Sequence, residues 1–294
     1  VIIDLEEWRE KGFFLDYAGY QIFYRDSAEV HKPTLLLLHG FPTSSWDWQD
    51  LWYELTKRFR VLCFDFIGFG LSDKPSNIDY SILMQADIAQ ALLKHFDIDR
   101  YHLLVHDYGN SVGQELLARN EGSERSCIQS CIFLNGGLFP ETHHPVLIQK
   151  LLLSPLGPFI SRLTSFTKFK QNMDRICTQK MPNEVLKMHW QLLESKGGRL
   201  IMHRLIRYME ERRRYRDRWV GVLQTTQVPL RLVDGLVDPI SGAHMKLRYE
   251  ELVPNADTVG LENTGHYPQN EAPKQVLRAA NEFWQKQGLP IAQI

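Results

Sequence analysis

The sequence predicts an α/β architecture, a mostly parallel, doubly wound sheet with a helical cap inserted between two of its strands. Three observations carry this expectation. Short, continuously apolar runs alternate with helix-period segments through the first 137 residues, and such runs are strands buried on both faces. The rhythm stops after Gly136-Gly137 and resumes near residue 229. The residues suited to chemistry fall just past the strand ends, where open α/β sheets bind ligands.

Residues 13–18 and 21–25 are aromatic-rich and split by Gly19-Tyr20, which reads as an antiparallel hairpin. The first buried strand, 34–38, runs into His39-Gly40-Phe41-Pro42. Ser44 or Ser45 can then cap a helix carrying Trp48, Leu51, Trp52 and Leu55 at helical spacing. Residues 61–66 form a second strand, followed by Gly68, Gly70, Ser72 and Pro75. A helix over 82–96 places Met84, Ile88, Leu92 and Phe96 on one stripe. Residues 101–105 are a third strand, Val112, Leu116 and Leu117 open the next helix, and 131–134 are a fourth strand. Strands resume at 229–233 and 256–261, and 273–284 is the last helix. Residues 1–137 and 221–294 are thus the expected core. Residues 138–220 are the expected helical lid, placed over the strand C-termini.

Composition narrows the function. The 294 residues carry 34 Lys+Arg against 35 Asp+Glu, a net charge of −1, without the basic excess of a nucleic-acid binder. Hydrophobic residues at 44% and charged residues at 23% fit a globular chain rather than a disordered one. Cys63, Cys127, Cys131 and Cys177 form no C-x-x-C pair and no Asn-x-Ser/Thr acceptor occurs. Reduced thiols and a cytoplasmic location are the expectation. No secretory leader is visible in a chain that opens at Val1. The most apolar stretch, 146–160, is broken by Gln149, Lys150, two prolines and Gly157, so no transmembrane segment is expected, since a span needs about 20 apolar residues. The run Arg204, Arg207, Arg212, Arg213, Arg214, Arg216 and Arg218, against Glu210, Glu211 and Asp217, reads as a solvated helix face. A funnel for an anionic substrate is the sharper alternative. His and Asp spacings form no recognisable ligand set, so neither metal nor organic cofactor is expected. A monomer or homodimer is expected.

The chemistry centres on Val105-His106-Asp107-Tyr108-Gly109, where a strand turns into a helix. This is the setting of a nucleophile elbow, with Asp in place of Ser; the plainer reading is a helix-capping aspartate. Asp238 follows the strand at 229–233, and His266 follows the last strand. Nucleophile, acid, histidine is the chain order of an α/β-hydrolase triad. Asp234 is the rival acid; Asp238 is preferred because its loop position beyond Gly235 can reach an imidazole. The amides of Phe41 and Tyr108 are the expected oxyanion donors, since Pro42 has no N–H. An aspartate with an ordinary pKa of about 3.9 is ionised at neutral pH and attacks without a base. Attack on saturated carbon gives an alkyl ester. His266 would then activate water against it, oriented by Asp238.

His39-Gly40-Phe41-Pro42, Asp65-Phe66-Ile67-Gly68-Phe69-Gly70 with Ser72-Asp73-Lys74-Pro75, and His106-Asp107-Tyr108-Gly109 resemble the epoxide-hydrolase and haloalkane-dehalogenase branch of the α/β hydrolases. The resemblance runs from about residue 30 to the C-terminus. It implies the α/β-hydrolase fold and a small-molecule substrate. Haloalkane dehalogenases of the branch carry a Trp directly after the nucleophile, where this chain has Tyr108; fluoroacetate dehalogenases carry Arg there. Epoxide hydrolases protonate the departing oxygen with lid phenols. Tyr208 resembles the second lid tyrosine, although a half-buried helix tyrosine is the plainer reading. The first has no counterpart between Gly137 and Arg207. His143 is the favoured substitute, with His144, His189 and Tyr215 as alternatives. The expectation is an epoxide hydrolase making vicinal diols. A haloalkane dehalogenase and a non-catalytic binding protein of the same fold are the alternatives.

Overall fold

In the computed structural model, which describes residues 3–123 and 126–289, eight strands form one sheet. They are β1 (Phe13–Tyr17), β2 (Tyr20–Asp26), β3 (Thr34–Leu38), β4 (Arg60–Phe64), β5 (Tyr101–Val105), β6 (Ile128–Phe133), β7 (Leu230–Gly235) and β8 (Thr258–Leu261). Their spatial order is β1-β2-β4-β3-β5-β6-β7-β8. β1 and β2 pair antiparallel, β2 joins β4 antiparallel, and every other pairing is parallel.

The apolar runs form strands because both faces are covered. Leu35 and Leu37 of β3 join Val61, Cys63 and Leu104 on one face. Leu36 and Leu38 join Leu62, Phe64 and Leu103 on the other. Alternate residues of one strand thus feed separate cores. Each buried leucine of β3 stabilises the fold by about 2 kcal/mol.

The first face is packed by α1 (Leu5–Glu10), α2 (Gln49–Thr56) and α14 (Pro273–Lys286). α1 was invisible to periodicity because six residues span under two turns. Its Trp8 meets Trp52 edge-on at 5.1 Å, and the Arg25 guanidinium lies 4.2 Å over the Trp8 ring. The second face is packed by α3 (Ile82–His95) and α4 (Tyr108–Glu121).

Between β6 and β7 stand seven helices: α5 (Leu147–Leu153), α6 (Gly157–Leu163), α7 (Phe166–Ile176), α8 (Asn183–Glu194), α9 (Gly198–Leu205), α10 (Tyr208–Arg214) and α11 (Arg216–Thr225). α12 (Ala243–Leu252) follows β7, and α13 (Pro268–Glu271) follows β8. Two buried or amide-rich anchors help tie the helical block to the core. The buried Lys74 ammonium donates to the carbonyls of Gly70, Leu192 and Ser195 at 2.7–2.8 Å. The Glu271 carboxylate accepts from the amides of Thr178, Gln179, Gly265 and Tyr267 at 2.6–3.0 Å.

Strand boundaries differ from the sequence reading in one instructive place. β6 starts at Ile128, three residues before the expected 131. Gln129 and Ser130 look polar, but the Ser130 hydroxyl is buried and paired with His102 Nδ1 at 2.7 Å on neighbouring β5. A satisfied polar pair is compatible with a central strand. No helix of the described residues is long and apolar enough to cross a membrane.

Candidate active site

β3 lies between β4 and β5, so the sheet's winding reverses there and opens a crevice at the strand C-termini. The loop after β3 and the turn after β5 therefore meet. His106 N donates to Leu38 O at 3.0 Å, and Gly109 N donates to His39 O at 2.9 Å. A Cβ on Gly109 would stand 2.4 Å from Leu38 O, and one on Gly40 would stand 2.6 Å from His106 Nδ1. Glycine at both positions lets the two turns touch.

Asp107 sits at the tip of that turn with φ 44° and ψ −102°, a conformation an L-residue holds only under surrounding constraint. Constraint comes from three sides. Asp107 N donates to Asn135 O at 2.8 Å. Asp107 O accepts from Arg212 Nη2 at 2.8 Å. Asp107 Oδ2 accepts from Phe41 N at 3.1 Å. The amide of Tyr108, the first residue of α4, has no acceptor inside its own helix.

His266 Nε2 stands 4.0 Å from Asp107 Oδ2, and its Nδ1 lies 2.7 Å from Asp238 Oδ2. Asp238 also accepts from Ser241 Oγ at 2.8 Å, Ile240 N at 2.8 Å and Asn135 Nδ2 at 3.1 Å. Asn135 anchors the acid loop from the opposite side as well, since its Oδ1 accepts from Gly235 N at 2.7 Å. Asp234 is buried with neither carboxylate oxygen hydrogen-bonded. Burial, and then the Asp238 charge, push its carboxyl well above the ordinary range.

Electrostatics separate the three groups. Burial drives Asp107 upward, but His266, Arg212 and His106 together with the Phe41 amide hold it below its ordinary value. Burial likewise opposes ionisation of Asp238, and the His266 charge and hydrogen bond bring it down to about 2. Burial disfavours a charged His266; the Asp238 charge and hydrogen bond, with Asp107, outweigh it and raise the imidazole to about 9. The resting site is therefore an imidazolium between two carboxylates.

Arg212 is the residue that sequence reasoning placed elsewhere. It belongs to the arginine run, yet it is 3% exposed. Its Nε donates to Ser111 Oγ at 2.7 Å, and its Nη2 lies 3.5 Å from Asp107 Oδ1. Arg216 and Arg218 of the same run pair with Glu141 and Glu115. Arg204, Arg207 and Arg214 line an open cleft of about 840 Å³ together with Asp79, Glu210 and Glu211, so the run is not a solvated face throughout. No local pattern marks the third of seven similar arginines as buried.

Asp107 and His266 line a cavity of about 60 Å³ together with Phe41 and Pro42. Its remaining wall is chiefly apolar and comes from the helical block, including Leu152, Phe169, Met173 and Met202. Tyr208 is buried beside it. Its ring centre is 6.0 Å from Phe41 and 5.0 Å from Tyr108, with the Arg212 guanidinium 4.5 Å away over its face. Burial and then Asp107 raise its phenol above the ordinary value, so it is a neutral hydroxyl. His143 packs near Arg212 across Gly137, where a Cβ would meet both side chains; burial, then Arg212, lower it to about 3. The other expected donors lie apart. His144 stacks on His244 at 4.2 Å, His189 faces Asp47 and Trp46, and Tyr215 packs on Trp219 at 5.2 Å.

The chain matches the α/β-hydrolase fold family over residues 33–273. It is 41% identical over 294 residues to the mesoderm-specific transcript protein of Mus musculus, covering 95% of this chain and 87% of that one. It is 39% identical over 279 residues to LipZ of Mycobacterium tuberculosis, named as a hydrolase, covering 94% and 96%. The crystal structure of haloalkane dehalogenase DbeA from Bradyrhizobium elkani is similar at a TM-score of 0.81 and 19% identity, covering 94% of this chain and 98% of that one.

Proposed function

The chain belongs to the α/β-hydrolase fold family, on the branch that includes the mesoderm-specific transcript proteins, and from that premise we propose that it opens small epoxides to vicinal diols. The observation that carries the reading is the carboxylate at the elbow. Asp107 presents an anion to a mostly apolar cavity, with the Phe41 amide on one oxygen and His266 behind it. A serine there would make the site an esterase; a carboxylate suits attack on saturated carbon.

Asp107 Oδ1 attacks an epoxide carbon and the C–O bond breaks. Tyr208, with His143 as the second donor, gives the departing alkoxide its proton. The ester carbonyl is then Oδ2, already beside the Phe41 amide. Ester formation removes the Asp107 charge, one of the charges that hold His266 protonated. Its pKa falls and the imidazolium gives its proton, through solvent, to the Tyr208 phenolate; the neutral imidazole then takes a proton from water as that water attacks Cγ. The amides of Phe41 and Tyr108 hold the oxyanion. Collapse breaks the Cγ–O bond to the substrate, the departing alkoxide takes the proton of the new carboxyl to give the diol, and Asp107 is again a carboxylate beside the His266 imidazolium. The helices between β6 and β7 act as the lid, with core and lid dividing at residues 138 and 220.

Diol release from a panel of small epoxides that includes styrene oxide, with Asp107→Ala as control, tests the reading. Failure to open any epoxide by a folded protein would contradict it. The small apolar cavity also suits a short haloalkane, and the fold likeness to DbeA keeps that second reading open. Halide release from bromoalkanes without diol formation from epoxides would select it.

A further inference from the structure

The helical block carries an apolar surface that its own fold leaves bare. Leu156, Phe159 and Leu163 are 62%, 60% and 49% exposed, at i, i+3 and i+7 along α6 and its N-cap, which is one helix face. Leu147 in α5 is 63% exposed and Leu200 in α9 is 47% exposed. These residues form one surface. α6 packs against both α5 and α9. Leu147 and Leu163 line the same groove. Arg199, next to Leu200, donates to the carbonyls of Arg162 and Thr164 at the end of α6. Single exposed leucines are ordinary, whereas a contiguous apolar patch marks a surface that meets something.

Charge identifies the partner. Residues 146–182 hold six cationic side chains, Lys150, Arg162, Lys168, Lys170, Arg175 and Lys180, against the single acid Asp174. That is a local net charge of +5 in a chain whose total is −1. Lys168 and Arg175 stand on the rim of the groove itself. A second copy of the chain would bring two such faces together and repel. An apolar centre ringed by cations fits an anionic lipid surface, where leucine and phenylalanine enter the acyl boundary and lysine and arginine meet the headgroups.

The groove extends inward. It measures about 250 Å³ and shares Ile148, Thr164 and Asn172 with the cavity that holds Asp107. We propose that the outer face of α5, α6 and α9 docks on an anionic bilayer, and that the groove passes an apolar substrate from the bilayer to Asp107. The delivery half rests on the chemistry proposed above; the docking half does not.

The test is co-sedimentation of the full chain with phosphatidylcholine vesicles and with vesicles about one-third phosphatidylserine. The expected result is binding to the anionic vesicles that weakens as salt rises. Leu156→Asp with Phe159→Asp should lower the bound fraction roughly tenfold, and Lys150→Glu with Arg162→Glu should remove the preference for anionic lipid. None of these four residues lines the groove or the cavity, so turnover of a water-soluble epoxide and the far-UV circular dichroism should be unchanged. No binding to either vesicle, or equal binding by the variants, overturns the proposal. So does a solution dimer that the Leu156→Asp, Phe159→Asp pair disperses without any vesicle binding. Vesicle binding by a protein that opens no epoxide would leave the docking intact and remove the chemistry.

Discussion

Arg212 and Asp107 form a buried charged contact in the site. Arg212 spans Ser111 Oγ and the Asp107 main chain, a reach that needs a planar fork, so lysine is no substitute. Arg212→Gln should lower stability by roughly 3 kcal/mol, because a buried carboxylate loses its compensating charge. It should also move the acid limb of the pH–rate profile upward, since Arg212 is among the groups that hold Asp107 below its ordinary value. Denaturant titration and kcat/KM against pH check both effects. His266 predicts the opposite limb. Its pKa of about 9 in the resting site means that it is protonated at neutral pH, while ester hydrolysis needs it neutral. Single-turnover hydrolysis should therefore rise with pH and level off at a midpoint below 9, because the ester no longer carries the Asp107 charge. A midpoint at or above 9 would contradict the order of events. That Asp107, Asp238 and His266 lie together was legible from sequence because each follows a strand end, and the fold brings strand ends together. Arg212 was not, because which arginine of a run is buried is decided by the packing of α10 and not by its neighbours in sequence.

Elements, rather than single side chains, set the distance between the helical block and His266. The chain after α7 is held to the His266 loop by His266 N donating to Ile176 O at 2.9 Å and by the four amides gathered on Glu271. Hydrogen bonds to a charged acceptor contribute about 1.5–3 kcal/mol each, though four on one carboxylate are not additive. Glu271→Ala should cost about 3 kcal/mol. It should also speed hydrogen exchange at the amides of Thr178, Gln179, Gly265 and Tyr267 over the rest of the molecule. Unchanged exchange at those four amides would remove Glu271 as the tie. The elbow is set by an element contact of another kind. Gly109→Ala would drive a Cβ against the β3 carbonyl of Leu38, so it should abolish activity and lower stability by more than about 3 kcal/mol. The strands were readable because continuous apolar runs have one physical explanation in a covered sheet. β6 was read short because a buried serine paired with histidine on the next strand looks polar until the pairing is known. α1 was missed because it is too short to show a period.

At the scale of the whole molecule, a sheet that reverses its winding beside β3 places a carboxylate, an imidazolium and an amide donor around one cavity of about 60 Å³. Sequence order alone pointed to the triad, and the resemblance pointed to the lid phenols. Neither shows how small the cavity is, because its walls come from seven separate segments of the helical block and core. Substrates longer than the cavity should therefore be turned over only if the helical block shifts, so kcat/KM across a series of terminal alkyl epoxides should fall steeply with chain length. The central claim is that Asp107 bonds covalently to substrate carbon and that His266 is needed only afterwards. Intact-mass measurement of His266→Gln after exposure to styrene oxide tests it most directly. The account predicts a stable increase equal to one substrate molecule, mapped to the peptide containing Asp107 and absent from the Asp107→Ala, His266→Gln double variant. An unmodified His266→Gln protein, in a preparation whose wild type turns the epoxide over, would contradict it.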